Sequence, residues 1–481
     1  MALSRGSPRV GVTHHLALWS PDLPRQQQFP AADAAARPAR PPSDQSRLRR
    51  PAGIGYNPAN HDERANPDDR GAAIAIADDV RQIGRLRLWA AYLSGGFGLG
   101  MQGYITFLVP LRAHELGAGY ETIGLIAAVG TLAPGLLAVS LGALIDRIGP
   151  KRGFTLGACA SMLIFLVALL VTNYWWFLAL QPFVGLAQTF GWLSSQGHIT
   201  SLGTPEQRPM LTGRFSFFVN VGQMASPVLA GIVAQSIGLR WAFLVPAMYA
   251  AFFVVLSLVL IDTRPSGASK RTSKDGGLRS ALQLTGLRGI QVALLLTFAR
   301  LWIATVFNTF VPVYLVGRGF STGLAGTVVA TASLVAAVMA PTTGYWTRHM
   351  CSERATMLGL GCGAVSLLLV PHIAAVPVIY IAPVLWGVAL GTSLPLLISI
   401  VTSAAPAEQR GVALGLRVSA NKAAATGAPV LVGPLIAALG MALGFTVGGA
   451  LALGLLAGSR LLHRADRRAP AALVEAGVTP P

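Results

Sequence analysis

Acidic side chains are scarce in this chain of 481 residues. Only 19 Asp and Glu stand against 37 Lys and Arg, and charged residues of both signs make up 12% of the whole. A soluble chain of this length would carry about 25% charged residues, so a water-soluble globular fold is excluded. The scarcity is also positional. The acids fall in tails, loops and the ends of apolar segments, and none sits in the middle of one. That removes the paired carboxylates on which much acid–base catalysis depends. Cysteine is nearly lacking too. Cys159, Cys351 and Cys362 show neither pairing nor metal-ligand spacing, which argues against a disulfide framework or a zinc centre. No His/Cys cluster and no glycine-rich phosphate loop occurs within the apolar segments, so no catalytic residue, metal or cofactor is expected.

What the chain has instead is apolar length. It is 53% hydrophobic, with a mean hydropathy of +0.57. A helix needs roughly 20 apolar residues to cross the hydrocarbon core. Twelve such segments are predicted, at 88–111, 121–141, 153–172, 176–200, 214–237, 241–261, 290–316, 322–346, 355–372, 377–401, 411–437 and 440–460. They lack the apolar–polar alternation of barrel strands, so they are read as helices, which satisfy their own backbone in lipid.

The net charge of +18 is a topology signal and not a nucleic-acid one. Of the basic residues, 13 precede the first span and 18 more fall in loops and tail on the same side. Only Arg112, Arg240 and Arg318 lie on the other side. Positive charge stays cytoplasmic, which predicts a multi-pass inner-membrane protein with both termini inside. Its partners are then a small-molecule substrate, membrane lipid and, as an open alternative, a coupling proton. No nucleic acid is expected, and the chain is expected to act as a monomer.

The chain also repeats itself at an offset of 202 residues. Pro110 answers Pro312, Gly124 answers Gly326, Gly142 answers Gly344 and Gly185 answers Gly387. Glu206-Gln207-Arg208 returns as Glu408-Gln409-Arg410, followed by Gly213 and Gly415. Pro227-Val228-Leu229 returns as Pro429-Val430-Leu431, followed by Gly231 and Gly433. Single glycines would match by chance, since there are 54, but two triplets in one register would not. Two copies of one unit around a central site is a common plan for secondary transporters. The predicted divisions are a disordered tail at 1–84, bundles at 85–262 and 290–462, a cytoplasmic linker at 263–289 and a tail at 463–481. The first tail is rich in Pro, Ala and Arg and cannot bury a core. Translation from a start near Val80 would remove it and keep every span.

The loop after the second segment reads Gly142-Ala143-Leu144-Ile145-Asp146-Arg147-Ile148-Gly149-Pro150-Lys151-Arg152. It resembles the signature of the major facilitator superfamily, with Pro150 where that family usually has a basic residue. With the repeat, the resemblance covers about residues 85–465. It implies an all-α integral membrane fold of twelve transmembrane helices, in two six-helix bundles related by a pseudo-two-fold axis along the membrane normal. It also implies a gate built from Gly142, Asp146, Arg147, Gly149, Lys151 and Arg152. Asp146 sits at the C-terminal end of a helix, where the dipole disfavours negative charge. It therefore needs a partner, for which Arg147 and the start of the helix near Arg410 are candidates. The family implies the second.

Polar residues inside spans are candidates for a substrate cavity: Gln102, Gln188, Trp192, Asn220, Gln223, Arg300, Asn308, Trp386 and Lys422. Arg300 and Lys422 stand out, because an intramembrane charge is costly; Arg417, close to a span start, is expected to snorkel. In the absence of a mid-span acid, proton coupling would have to use Asp146, Glu121, Glu115 or His198. Gly222, Ser226-Pro227 and Ala230-Gly231 resemble an altered form of the Gly-Pro motif in the family's drug antiporters. The expected function is secondary active transport of a small organic solute, with export of hydrophobic or amphipathic compounds preferred. Uptake or facilitated diffusion of an anionic metabolite is the alternative.

Overall fold

The computed structural model describes residues 84–202, 208–261, 283–372, 379–406 and 409–475. The expectations for the N-terminal tail, most of the linker, Glu206, Gln207 and Glu408 lie outside these residues. The helices are α1 (Arg85–Leu93), α2 (Gly95–Glu115), α3 (Tyr120–Ile148), α4 (Pro150–Ala168), α5 (Trp175–Ser201), α6 (Arg208–Ile237), α7 (Leu239–Ala242) and α8 (Leu244–Val259). They continue as α9 (Arg288–Gly317), α10 (Thr322–Met339), α11 (Thr343–His349), α12 (Ser352–Leu369), α13 (Ile381–Ala404) and α14 (Arg410–Glu475). No strand occurs among the described residues. The helix that ends the chain runs on to Glu475, into the segment expected to be a tail.

Among the described residues, nine helices are long and apolar enough to cross a membrane. One of them, Val412–Leu462, is bent at Gly440 (φ +83°) into two arms. The expected twelve are not reached on this criterion. α2 and α5 have the length, at 21 and 27 residues, but not the apolarity. α2 spends five positions on glycine, and α5 carries Gln181, Gln188, Gln196 and His198.

The helices end where glycine allows a left-handed turn. Gly117 (φ +88°) and Gly319 (φ +87°) close α2 and α9, and Gly238 (φ +93°) matches the bend at Gly440. Both pairs keep the 202-residue offset. The hydrogen bonds repeat as well. Ala118 N–H donates to the Ala113 carbonyl at 2.9 Å, and Phe320 N–H donates to the Leu315 carbonyl at 3.1 Å. This is the six-to-one bond that a left-handed C-terminal glycine permits. The repeat is thus structural at the level of single turns.

Each half packs its own aromatic core. Phe97, Phe154 and Phe253 meet edge to face in the first. In the second, Trp386 packs against Phe307 and Tyr314 against Phe445. Trp386 was a cavity candidate from the sequence. It is instead 1% exposed and sits inside the second half, because α12 and α13 need one large ring to fill the space beside Gly363. Trp386→Ala should therefore lower stability by about 3–5 kcal/mol, read as earlier melting in detergent, and leave cargo preference unchanged.

The halves meet along two seams made from the repeated residues. In one, α3 lies on the first arm of α14. A Cβ at Gly124 would overlap the Pro429 carbonyl, and one at Gly433 would overlap the Tyr120 carbonyl. In the other, α6 lies on α10, with Gly326 against the Pro227 carbonyl and Gly231 against the Thr322 carbonyl. The Thr322 hydroxyl also donates to the Gly231 carbonyl at 3.1 Å. Small residues let helix backbones approach this closely in lipid. Both seams lie toward the far face, the one reached at the end of α2. Toward the near face, where α2 begins, no such close approach recurs on α3, α6 and α14, nor on α11, which follows α10. Gly142, Gly213, Gly344 and Gly415 have no atom within 4 Å of where a Cβ would stand. The close contacts between the halves through these glycines thus fall toward the far face.

Candidate functional site, a cavity between the halves

Helices of the two halves enclose a cavity of about 320 Å³, lined by α2, α3, α5 and α6 from the first half and by α9, α10 and α14 from the second. Its walls are mixed. Ile105, Val109, Ile126, Leu301 and Val329 give apolar surface, and amides and hydroxyls are set between them. Four of the residues expected from the sequence line it: Gln102, Gln223, Asn308 and Lys422.

The other five candidates are placed elsewhere. Trp386 is in the core, as above. Gln188 Nε2 donates to the Gly98 carbonyl at 2.8 Å and ties α5 to α2, which uses up its amide. Trp192 stacks on Phe215 and fills the space above Gly98. Asn220 is exposed on α6, although Gln223, three positions on, reaches the cavity. Arg300 Nε donates to Ser393 Oγ at 2.9 Å, within the second half and outside the cavity lining.

Sequence reasoning missed Gln181, Asn421, Thr131 and Ser333, all of which line the cavity. The Gln181 Oε1 and Asn421 Oδ1 atoms are buried without a hydrogen-bond partner among the described residues. Gly130 makes room for the first; a Cβ there would come to 3.0 Å from Gln181 Oε1. A signal for the hydroxyls was present: Thr131 and Ser333 are equivalent under the 202-residue offset, as are Thr106 and Asn308. The Thr131 hydroxyl also meets that of Thr426 at 3.0 Å, across the seam.

Among the described residues, Lys422 is the one ionisable side chain lining this cavity. Its stem lies against Gly135 of α3, where a Cβ would touch it at 3.5 Å, so the missing side chain there gives the lysine its place. No carboxylate pairs with it among the described residues. The ion pair found among the described residues joins Arg112 to Glu115, near the far-face end of α2. An unpaired ammonium among carboxamides and hydroxyls attracts an anion, and the low dielectric strengthens the attraction.

The loop expected to act as a gate lies on the near face, away from the cavity. Gly149 (φ +91°) ends α3, and Pro150 takes the first position of α4. That position suits proline, whose missing N–H would be unpaired there in any case, so the departure from the family pattern has a local reason. Asp146, Arg147 and Arg152 are exposed, and Lys151 Nζ donates to the Leu258 carbonyl at 3.4 Å. Asp146 has no ion-pair partner among the described residues. Of the groups considered for proton coupling, Glu121 is exposed beside the far-face seam, Glu115 is held by Arg112, and His198 is buried in α5.

The sequence profile of the Major Facilitator Superfamily matches residues 88–429. The chain belongs to that family, and it is a multi-pass membrane transporter of small solutes. The gentisate transporter of Corynebacterium glutamicum is 25% identical over 370 residues, which is 73% of this chain and 82% of that protein. The multidrug resistance protein MdtG of Proteus mirabilis is 29% identical over 171 residues, or 34% of this chain. That match spans only 41% of the relative's length. Among solved structures, the nucleoside transporter NupG has a TM-score of 0.67 at 12% identity, covering 79% of this chain and 99% of its own. A bacterial homolog of the human lysosomal transporter Spinster scores 0.62 at 14% identity, covering 79% and 96%.

Proposed function

We propose that this transporter carries a small organic anion, bearing a carboxylate, across the inner membrane by alternating access. The units that rock are the segments 85–262 and 290–462, and the near face is cytoplasmic. The observation behind this reading is Lys422, a cation without an acidic partner in a cavity that offers no other charge. The amides of Gln181 and Asn421 would bond the polar groups of the cargo, and Val109, Ile126 and Val329 would take its apolar body. The wide match to a gentisate transporter agrees with a carboxylate cargo. Direction follows from charge. With no carboxylate in the cavity to carry a proton, an uncoupled carrier would pass an anion outward, since an interior-negative potential of 100 mV favours exit by about 2.3 kcal/mol per charge. The gate loop, with Asp146 docking near the start of α14, would close the near face in the opposite state.

A second reading, export of amphipathic compounds, is favoured by the partial match to MdtG. Purified protein in proteoliposomes separates the two. With an interior-positive potassium potential, gentisate and benzoate should accumulate and a lipophilic cation should not. Accumulation of the cation against a proton gradient, without the carboxylates, would replace the first reading with the second.

A further inference from the structure

Two more cations sit in spanning helices near the cavity, and neither has an acidic partner among the described residues. Arg300 is on α9 and Arg417 on α14. Helical spacing places both. Residues four apart stack on one face, about 6 Å apart along the axis. Arg300, Ala304 and Asn308 therefore form one stripe of α9, and Arg417, Asn421 and Ala425 form one stripe of α14. The upper two members of each stripe line the cavity. Both arginines thus lie one turn below it, toward the near face, on α9 and α14, two helices in contact with each other.

Arg300 has one hydrogen bond, from Nε to the neutral hydroxyl of Ser393 on α13. Arg417 Nε is shut off from solvent and bonds nothing among the described residues. Two guanidiniums one turn below the same cavity, one of them with a donor that meets no acceptor among the described residues, suit an anion. A guanidinium suits a carboxylate or an oxyanion, which it can grip with two parallel N–H groups.

We infer that Arg300, Arg417 and Ser393 form a second anion station, one turn from the cavity on its near-face side, which an anionic cargo contacts between the cytoplasm and Lys422. The station rests on the anion reading above, but its existence can be tested apart from transport. Bound anion would compensate the charge of the two guanidiniums, so the probe can be sulfate itself.

The experiment is the melting temperature of the detergent-solubilised full chain, titrated with sulfate against chloride at matched ionic strength. The wild type should gain several degrees. Arg300→Gln and Arg417→Gln should melt above the wild type without sulfate and lose most of the sulfate shift. Arg417→Lys, which keeps the charge, should retain part of it, and Lys422→Gln should lose only the part that the cavity lysine supplies and keep the part that Arg300 and Arg417 supply. A parallel measurement needs no variant: phenylglyoxal modification of Arg300 and Arg417, read by peptide mass spectrometry, should slow several-fold in sulfate while exposed Arg87 is unaffected. No shift in the wild type, or an equal shift in both glutamine variants, overturns the station. Carboxylate transport left intact in Lys422→Gln would sink the cargo reading and leave the sulfate result standing.

Discussion

Replacing Lys422 with glutamine or methionine should abolish carboxylate transport while leaving the protein more stable than before. The two effects share one cause. Lys422 lines the cavity without an acidic partner. In the empty protein its charge is poorly solvated and uncompensated, and removing such a charge relieves a cost. With an anion bound, the same charge forms a charge-assisted hydrogen bond, and loss of one partner from such a pair costs about 2–5 kcal/mol. Cargo binding should therefore weaken by roughly 30- to 4,000-fold, at 1.4 kcal/mol per factor of ten. Counterflow of gentisate or benzoate in proteoliposomes, with melting curves for the same preparations, reads both effects. A variant that transports normally, or that melts well below the wild type, would show that Lys422 holds the fold and not the cargo.

Gly124→Val should produce the second large effect, this time on conformation. Its new side chain would overlap the backbone carbonyl of Pro429 and the Cα of Gly433, and backbone cannot swing aside as a side chain can. The far-face seam must then part. Overpacking costs about 1–3 kcal/mol, enough to shift the balance between alternating states roughly 5- to 150-fold. The same substitution at Gly326, which faces the Pro227 carbonyl, should act alike. A cysteine placed at Ala127 in the cavity wall, with Cys159, Cys351 and Cys362 replaced, reports the shift. An impermeant maleimide added at the far face should label it at least ten times faster once valine is present. Unchanged labelling would mean that the seam is not what keeps that face shut.

The seams were legible in the sequence because they depend on the absence of a side chain. A glycine pressed against a carbonyl cannot be replaced without moving backbone, so Gly124, Gly231, Gly326 and Gly433 stand in the repeat register together with the two Pro-Val-Leu triplets. The cavity was legible only in part. In a soluble helix, the polar face marks the outside. Here one face meets lipid and another meets packed helix, both apolar, so rotation about the axis leaves little trace. Gln181 and Gln188 share a face of α5, and depth alone separates the one that lines the cavity from the one bonded to Gly98. Arg300 and Lys422 look equivalent as intramembrane charges, yet one bonds Ser393 and the other lines the cavity. Trp386 was misplaced because an aromatic ring fills a core as readily as it forms a wall. Apolarity alone does not pick out every long helix for a related reason: α2 and α5, which contribute to the cavity wall, are less apolar than the helices that meet the criterion of a lipid-spanning rod.

The pair of seams has a consequence for how the chain is put together. Gly124 on Pro429 and Gly326 on Pro227 are two copies of one contact, each residue of a half touching the equivalent of its own partner in the other. That is the geometry of an isologous interface in a two-fold homodimer. The halves meet as identical subunits would, although one chain contains both. Where they match, any change in the interface has to be made twice to keep the fit. Where they differ, a single change alters one side alone, and some of the differences fall on charge: Asn220 corresponds to Lys422, and Asp146 to Arg348. One chain holds here what a symmetric pair cannot have, a lysine in the cavity wall, Lys422, whose counterpart in the other half is Asn220.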